Sequence, residues 1–335
     1  MKKILNDPTD FVDEMLDGLI AAHPDAYSLP HPRVVARPGG AKEGKVGIVS
    51  GGGSGHLPVF AGYVGHGLLD AVAVGDVFAS PSADQMADCM RVAHGGAGVL
   101  RLYGNYGGDV MNFDMAGETV EFEDDIESTT VLLADDVVSA PPEEAAKRRG
   151  TGGMVYAFKI AGACAEAMGD LAHVTGIAQR TADNCRSIGM ALTPCTVPQA
   201  GKPTFMIGED EMEMGMGLHG EPGIWRDTLK PADAITDEMM DRLLADMPLK
   251  HGDRCSIMVN SLGATPPEEL YIMYRRAKDR LDGDGVVISM PLIGRYATSM
   301  EMTGATITLC KLDDELENLL RKPCHCAFWV QHDLT

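Results

Sequence analysis

Three side chains that could carry out chemistry, His56, Asp109 and His219, each lie in or beside a glycine-rich segment. Glycine lets the backbone approach a ligand closely. A histidine can act as a nucleophile or as a proton shuttle near neutral pH. A carboxylate held beside a substrate hydroxyl group can take its proton as a general base. If these side chains meet over one pocket, they could supply both a nucleophile and a base.

The segment before His56 follows a short apolar run. Residues 45–49 predict a buried strand, and residues 50–58 read Ser-Gly-Gly-Gly-Ser-Gly-His-Leu-Pro. The carboxyl end of such a strand is where α/β proteins place ligands. The alternative is a glycine-rich turn without chemistry, since such turns occur in many folds. The loop at 51–55 lacks the lysine of a P-loop, and no complete P-loop motif occurs in the sequence, which therefore predicts no nucleotide site.

Asp109 and His219 also have simpler interpretations. Asp109 follows a predicted strand and a glycine-rich turn, so it could face the same pocket as His56. It could equally cap a helix that starts at Val110, which is a common use of aspartate. His219 lies between glycines and is sterically open, as suits a histidine offered to a ligand. The alternative is a surface-loop histidine without a function.

The composition excludes several classes of protein. The 335 residues include 28 Lys and Arg against 49 Asp and Glu, a net charge of −21 that would repel nucleic acids and anionic membranes. No run approaches the roughly 20 apolar residues of a transmembrane helix, and no apolar signal-peptide core follows the N-terminus. The eight scattered cysteines are typical of reduced cytoplasmic thiols. Cys324-His325-Cys326 has no second cluster to complete a metal site, so no metal is predicted.

The alternation of short apolar runs with helical periodicity predicts an α/β fold with two domains. Residues 1–185 would form an N-terminal α/β domain with the glycine-rich loop and Asp109, and residues 186–335 a C-terminal α/β domain with His219. Each domain would have a mixed or mostly parallel sheet with flanking helices. The predicted strands are 46–49, 71–74, 99–103, 131–133, 203–207, 211–218, 255–260, 285–290 and 304–311. The predicted helices are 6–23, 81–93, 153–168, 170–186, 236–245, 266–282 and 313–321, with loops at 24–44 and 139–150.

Five motifs, in order along the chain, resemble one family. They are Gly51-Gly52-Gly53-Ser54-Gly55-His56, Asn105-Tyr106-x-Gly-Asp109, Cys195-Thr196-Val197-Pro198-x-Ala200-Gly201-Lys202-Pro203, His219-Gly220-Glu221-Pro222-Gly223 and Asn260-x-Leu262-Gly263-Ala264-Thr265. This set resembles the substrate-binding (K) subunit of the dihydroxyacetone kinase family, the Dak1-type domain. The resemblance extends nearly from end to end of the chain.

The resemblance implies a function for each candidate residue. The residue matching His219 would bind a short ketose covalently as a hemiaminal, while those matching His56 and Asp109 would assist proton transfer and activate the hydroxyl group that is phosphorylated. The substrate-binding set implied in this way is Gly53, Ser54, Gly55, His56, Gly104, Asp109 and His219. The phosphate would come from ATP, or from a tightly held ADP/ATP that is recharged by a sugar phosphotransferase relay. This nucleotide, ATP or ADP with Mg, would be bound by a separate nucleotide-bearing subunit, and this chain would bind no cofactor. A cytoplasmic homodimer is the usual assembly that the resemblance implies.

Two positions differ from the family pattern. Leu57 stands where well-characterised K subunits have Glu, and Gly104 stands where they have a lysine that lines the substrate site. Loss of that lysine would remove a donor and open volume, so erythrulose, a four-carbon ketose, is an alternative substrate. A second alternative is a non-catalytic ketose sensor that acts as a co-regulator, although the intact His56, Asp109 and His219 favour an enzyme.

Overall fold

The computed structural model describes residues 2–333, so residues 1, 334 and 335 of the two predicted domains lie outside the described part. The first half of the chain forms a six-stranded sheet in the order β1-β2-β4-β3-β5-β6. Its strands are β1 Ser28–His31, β2 Val34–Ala36, β3 Gly47–Ser54, β4 Ala71–Val77, β5 Val99–Gly104 and β6 Ser128–Leu133. Strands β3 to β6 pair in parallel, whereas β1 and β2 add an antiparallel edge.

Five helices accompany this sheet. They are α1 Phe11–Ala22, α2 Ala83–Ala93, α3 Gly107–Asp124, α4 Gly153–Glu166 and α5 Leu171–Asp183. Apart from Lys159 and Glu166, helix α4 consists of small, apolar and aromatic residues, and it is buried along almost its whole length. It contacts β3 and β5 of the first sheet as well as β7 (Cys185–Thr193) and β13 (Thr303–Leu312) of the second. The two sheets therefore share α4 as a common packing element.

The second sheet has seven strands and is mixed. Its remaining strands are β8 Glu211–Met214, β9 Trp225–Thr228, β10 Arg254–Ser261, β11 Val287–Ile288 and β12 Leu292–Gly294. The order is β11-β10-β13-β7-β8-β9, with β12 also on β10. Only β11 and β12 pair in parallel, and the other neighbours are antiparallel. Helices α6 Ala232–Asp246, α7 Pro267–Gly283 and α8 Asp314–Arg321 follow, with a terminal hairpin of β14 Cys324–His325 and β15 Val330–Gln331. The predicted α/β fold class is confirmed.

Several predicted elements were wrong. Residues 203–207 form no strand and contribute only an isolated bridge between Thr196 and Pro203. The predicted loop at 24–44 contains β1 and β2. Strand β7 was missed because the helix was extended to 186, whereas α5 ends at Asp183. Within β7, Gly189 is required because the carbonyl oxygen of Met216 lies 2.4 Å from where a Cβ atom would be.

The glycines before His56 belong to β3 and not to a loop. They are needed for close packing rather than for an unusual backbone. A Cβ atom on Gly52 would lie 2.5 Å from the Phe60 ring, and one on Gly53 would lie 2.6 Å from the backbone nitrogen of Ala79. Only Gly55, at the end of the run, has a positive φ, of 99°. The strand therefore extends to the point where the chain turns toward His56.

The predicted loop at 139–150, whose charges were expected to be solvated, contains a buried charged side chain. Arg148 is 1 % exposed, and its guanidinium donates to both carboxylate oxygens of Asp246 at 3.0 and 2.5 Å. Arg186 at the start of β7 donates to the same carboxylate. Removing one partner of a buried pair typically costs about 3–5 kcal/mol. The pair of Arg148 and Asp246 joins the segment after the first sheet to α6. The division of the chain into two domains at 185 stays a prediction.

Candidate active site

The structure brings His56, Asp109 and His219 together around one small cavity. The ring centroids of His56 and His219 are 4.7 Å apart and the two rings are nearly perpendicular, at 80°. The cavity leaves only about 10 Å³ for a water-sized molecule. It is lined by Gly53, His56, Val59, Phe60, Tyr106, Asp109, Met154, Leu218 and His219. We call this space the site cavity. Its walls come from β3 and α3 on the first-sheet side and from the loop between β8 and β9 on the other.

His56 has a defined tautomer. Its Nδ1 lies 2.7 Å from the carbonyl oxygen of Thr298, which can only accept, so Nδ1 carries the proton. The ring stacks on Phe78 at 5.0 Å, and Nε2 is buried without a hydrogen-bond partner in the described part of the chain. Burial, with a smaller contribution from the charge of His219, lowers the pKa of His56 to about 3. His56 is therefore neutral at physiological pH, with a free lone pair on Nε2.

The backbone around His56 is fixed by the segment between β12 and β13. Thr298 donates its amide to the carbonyl of His56 at 3.3 Å and its hydroxyl to the carbonyl of Leu57 at 3.0 Å. The amide of Met300 donates to the carbonyl of Gly55 at 2.7 Å. Three backbone carbonyls in a row thus have partners from the second sheet. The position of His56 depends on contacts with residues about 240 positions away in sequence.

Asn260 holds this second-sheet segment in place. Its Oδ1 accepts from the amides of Tyr296 at 2.8 Å and Ala297 at 2.9 Å, and its Nδ2 donates to the carbonyl of Ala297 at 2.7 Å. The side chain is completely buried at the end of β10. Asn260 belongs to a motif that the sequence analysis used only for the family resemblance. Its structural role is to set the position of the Thr298 carbonyl.

Asp109 is the third residue of α3 and lines the site cavity. The helix starts at Gly107 and not at Val110, and its N-cap residue, Tyr106, makes no side-chain capping bond. Asp109 Oδ1 is buried and has no hydrogen-bond partner among residues 2–333. Burial raises the pKa of Asp109 to about 6, although Ser80 and the charge of His219 lower it in part. A carboxyl group with this pKa suits a general base near neutral pH.

His219 is held by a carboxylate two residues later in the chain. Glu221 Oε1 lies 2.8 Å from Nδ1 of His219, and Oε2 accepts from the His219 amide at 2.9 Å. Burial alone would raise the pKa of Glu221, but the hydrogen bond and charge of His219, together with Arg149, outweigh it and lower the pKa to about 2. The ionised Glu221 accepts a hydrogen bond from Nδ1–H of His219. In the neutral ring the lone pair therefore lies on Nε2, where it can act as a nucleophile.

Arg149 connects the loop of His219 to the rest of the molecule. It donates to the Asp136 carboxylate at 2.9 Å and to the carbonyl of Gly215 at 3.0 Å. Its Nη1 is 3.9 Å from Glu221 Oε2. A Cβ atom on Gly217 would lie 2.1 Å from Glu221 Oε2, so only glycine allows this arrangement. Glu221 is part of the motif His219-Gly220-Glu221, but the sequence analysis assigned it no role. Its spacing of two residues from His219 is the sequence feature that could have indicated this contact.

The other residues of the implied substrate-binding set lie at different distances from the cavity. Gly53 lines it, whereas Ser54, Gly55 and Gly104 do not. Gly104 is covered by Tyr106, whose ring would lie 3.0 Å from a Cβ atom at position 104 and whose hydroxyl donates to the carbonyl of Gly150 at 2.9 Å. The volume that a lysine stem would occupy beside Gly104 is therefore filled by Tyr106 and, at 3.2 Å, by the sulfur of Met154.

Two structural observations bear on cofactors and membranes. Within residues 2–333, no group of three or more His, Cys, Asp or Glu side chains is arranged to hold a metal ion. In the same part of the chain, none of the helices combines the length and apolar character needed to span a bilayer. The site cavity is lined by the imidazoles of His56 and His219 and by the carboxylate of Asp109.

Comparison with known proteins gives a family match and close relatives. The Dak1 domain model matches residues 17–328. The dihydroxyacetone-binding subunit DhaK of PTS-dependent dihydroxyacetone kinase 1 from Listeria innocua is 40 % identical over 98 % of this chain and 100 % of its own length. An L-erythrulose kinase from Pectobacterium atrosepticum is 42 % identical over 96 % of this chain but only 55 % of its own length. The crystal structure of the dihydroxyacetone kinase of C. freundii superimposes with a TM-score of 0.90 at 32 % identity, covering 98 % of this chain and 60 % of that one.

Proposed function

Since the chain belongs to the Dak1 domain family, we propose that it is the ketose-binding subunit of a dihydroxyacetone kinase. It captures dihydroxyacetone covalently on His219 and presents a hydroxyl group to a nucleotide carried by a separate subunit. The observation that supports this proposal most directly is the meeting of His219 with His56 and Asp109 in one cavity. Two of these groups, His56 Nε2 and Asp109 Oδ1, are buried without hydrogen-bond partners in the described chain. Unpaired buried polar groups are costly, so they indicate a site shaped for a polar ligand.

Capture of the ketose requires a nucleophilic nitrogen and a balanced movement of protons. Nε2 of His219 forms a bond to the carbonyl carbon as the C=O double bond becomes single. The carbonyl oxygen gains a proton, and the imidazole loses one from Nδ1, so the hemiaminal is neutral. Glu221 contacts the nitrogen that releases this proton. A small ketose offers little apolar area for binding, so the covalent bond supplies the position that non-covalent contacts would not.

Phosphorylation then requires a base at the terminal hydroxyl group. Asp109 takes the hydroxyl proton while the oxygen attacks the phosphorus atom, and His56 Nε2 accepts a hydrogen bond from the substrate. Phosphoryl transfer depends mostly on position and electrostatics, so a fixed orientation of the hydroxyl group supplies much of the rate. The nucleotide, ATP or ADP with Mg²⁺, is bound by the partner subunit and not by this chain. We also propose that the protein is a cytoplasmic homodimer. The family resemblance supports the homodimer, and the eight scattered cysteines support the cytoplasm.

The experiment combines adduct detection with turnover. The chain is incubated with dihydroxyacetone and analysed by intact-protein mass spectrometry, then assayed with a nucleotide-bearing partner subunit and ATP for dihydroxyacetone phosphate. We expect an adduct that is lost in His219→Ala, and turnover that depends on the partner. An adduct that persists in His219→Ala would remove that residue from its role. An adduct without phosphorylation of any short ketose would instead identify a non-catalytic sensor.

Erythrulose is a second candidate substrate. The chain is 42 % identical to an L-erythrulose kinase and 40 % identical to a dihydroxyacetone-binding subunit. These two identities are comparable, so they support a four-carbon ketose as much as dihydroxyacetone. The measurement that separates the two is kcat/KM for dihydroxyacetone and for both enantiomers of erythrulose, with the partner subunit and ATP supplied. A preference for either erythrulose enantiomer would replace dihydroxyacetone as the substrate and leave the reaction type unchanged.

A further inference from the structure

The amino end of α3 presents backbone donors that nothing in the described chain uses. The helix starts at Gly107, and the amides of Gly107, Gly108 and Asp109 have no acceptor among residues 2–333. The N-cap residue Tyr106 offers no side-chain oxygen to them. Free amides at a helix start carry a partial positive charge and bind anions readily. Capping side chains cover such donors in α2, α5 and α8, but not in α3.

This end of the helix is open to a ligand. Gly107 and Gly108 are both exposed, and neither has a side chain that would keep a ligand away from the amides. No atom lies within 4 Å of the position that a Cβ atom on Gly107 would take. At Gly108 the nearest atom to such a Cβ is the Cβ of Ser80, at 3.2 Å. An anionic group could therefore approach the first turn of α3 directly.

A second observation shows where a ligand would meet this turn. Asp109, the third residue of α3, is only 8 % exposed and lines the site cavity. Its Oδ1 is buried and has no hydrogen-bond partner in the described chain. Under the proposed function, Asp109 takes the proton of the hydroxyl group that is phosphorylated. The phosphorus atom becomes bonded to that oxygen, so the phosphoryl group passes beside the same helical turn.

We propose that the first turn of α3 binds the phosphoryl group during transfer and the phosphate of the product afterwards. This inference rests on the proposed function. In the step, a new bond forms between the substrate oxygen and phosphorus, and the bond from phosphorus to the leaving oxygen of the nucleotide breaks. The hydroxyl proton moves to Asp109, so this carboxyl group is neutral once the phosphate ester has formed. The Gly107 and Gly108 amides donate to phosphoryl oxygens that gain negative charge.

Substitution of Gly107 can remove one of these donors with little disturbance. Gly107 is the first helical residue, a position that proline favours because its amide has no helical partner. The residue before proline must be extended, and Tyr106 already has φ −122° and ψ 132°. Gly107→Pro therefore deletes the amide proton and keeps the helix. Gly107→Ala is the matched control, because it adds a Cβ atom into open space and retains the amide.

The test measures the affinity of the chain for dihydroxyacetone and for dihydroxyacetone phosphate by calorimetry, in wild type and in both variants. We expect Gly107→Pro to bind the phosphate ester about fivefold more weakly, the effect of one interaction at a helix terminus, with unchanged affinity for dihydroxyacetone. Gly107→Ala should bind both ligands like wild type. With the partner subunit and ATP, Gly107→Pro should lower kcat and leave KM for dihydroxyacetone unchanged.

The other outcomes separate this inference from the proposed function. Equal binding of the phosphate ester by wild type and Gly107→Pro would overturn the inference, as would an equal loss of affinity for both ligands. If wild type binds dihydroxyacetone but shows no affinity for the phosphate ester, the inference fails and the proposed function stands. If wild type binds no ketose and forms no adduct, the proposed function itself fails.

Discussion

Glu221 accepts two hydrogen bonds from His219, one from Nδ1 at 2.8 Å and one from the backbone amide at 2.9 Å. A single carboxylate thus fixes both the ring and the backbone of the histidine proposed to capture the substrate. Because Nδ1 is committed to Glu221, the nucleophilic lone pair lies on Nε2, on the side of the ring away from the carboxylate. The arrangement is that of a nucleophile or base oriented by a third group.

Replacing Glu221 with glutamine tests this relationship. The side-chain amide of the introduced glutamine can present either a donor or an acceptor to Nδ1, and as a donor it would move the ring proton to Nε2. We expect Glu221→Gln to lower the rate of adduct formation by about 10²-fold or more, as for the loss of a proton-transfer group. Stopped-flow or quenched mass spectrometry of the adduct measures this rate.

Glu211→Gln is the control for the Glu221 variant. Glu211 lies on β8, is partly exposed and pairs with Arg226 at 3.7 Å, away from the site cavity. The Glu211→Gln variant should form the adduct at the wild-type rate. Wild-type kinetics in Glu221→Gln would show that the carboxylate does not set the tautomer of His219.

The raised pKa of Asp109 predicts how activity depends on pH. Asp109 must be ionised to act as the proposed base, so kcat/KM should fall as the pH is lowered through about 6, the pKa that burial gives Asp109. His56 does not titrate in this pH range because its pKa is about 3, so it adds no further change to the pH profile. The pH profile of kcat/KM reports the ionisations of the free enzyme and is the measurement to make. Asp109→Asn should lose about 10²-fold or more in kcat and still form the adduct.

The same shift predicts an effect on stability. The pKa of Asp109 is higher in the folded than in the unfolded protein, so folding is disfavoured by this group above its unfolded pKa near 3.8. Asp109→Asn should therefore raise the free energy of unfolding at pH 7, and the gain should disappear as the pH falls below 4. Denaturant titrations at pH 7 and pH 4 test the sign. A loss of stability at pH 7 would contradict the proposed electrostatics.

Asn260 predicts an effect on turnover without contact with the substrate. Asn260→Asp keeps the two accepted hydrogen bonds but loses the donor to the carbonyl of Ala297, so the segment that holds His56 should shift. We expect lower kcat, with adduct formation on His219 retained and with a lower melting temperature. The loss of stability should be about 1–3 kcal/mol, as for a buried group left without its partner. Asn318→Asp, on the exposed face of α8, is the matched control.

Gly104 predicts a change in substrate preference. A lysine at this position would displace Tyr106, because the ring already lies 3.0 Å from the position of a Cβ atom. Gly104→Lys should therefore reduce the room in the site cavity and shift kcat/KM toward dihydroxyacetone over erythrulose by about tenfold or more. Gly104→Ala, which adds only a methyl group, should shift it less. The space beside Gly104 is filled by Tyr106 and Met154, so the expectation that loss of the lysine opens volume is wrong. A wild type that already prefers dihydroxyacetone about 100-fold, well beyond the tenfold that 1.4 kcal/mol represents, would contradict a role of Gly104 in substrate choice.

The candidate residues could be predicted from the sequence, whereas most of the contacts that position them could not. His56, Asp109 and His219 were found because each lies beside glycines, a local signal. The parallel core of the first sheet was also predictable from short apolar runs separated by helical periodicity. Strand β7 was not, because the predicted helix was extended to 186, over the start of the strand at Cys185.

Long-range contacts were the main gap. The tautomer of His56 is set by the backbone carbonyl of Thr298. Because every residue has such a carbonyl, no residue type in the sequence indicates this contact. Asn260 was visible as part of a motif, but three hydrogen bonds to one short segment cannot be derived from spacing. Residue types thus predict which chemistry is available, whereas the second half of the site depends on how the two sheets pack.

The groups of the site cavity come from both sheets, with His219 on one side and Asp109 and His56 on the other. Under the proposed function, capture and transfer are therefore separate traits in evolutionary terms. A descendant that lost Asp109 would keep the proposed covalent bond to the ketose, because the loop of His219 is held by Glu221 and Arg149. Such a protein would still register the presence of its ligand without consuming it. Gene duplication of this fold therefore offers a short route from an enzyme subunit to a receptor, requiring few substitutions and no new binding site.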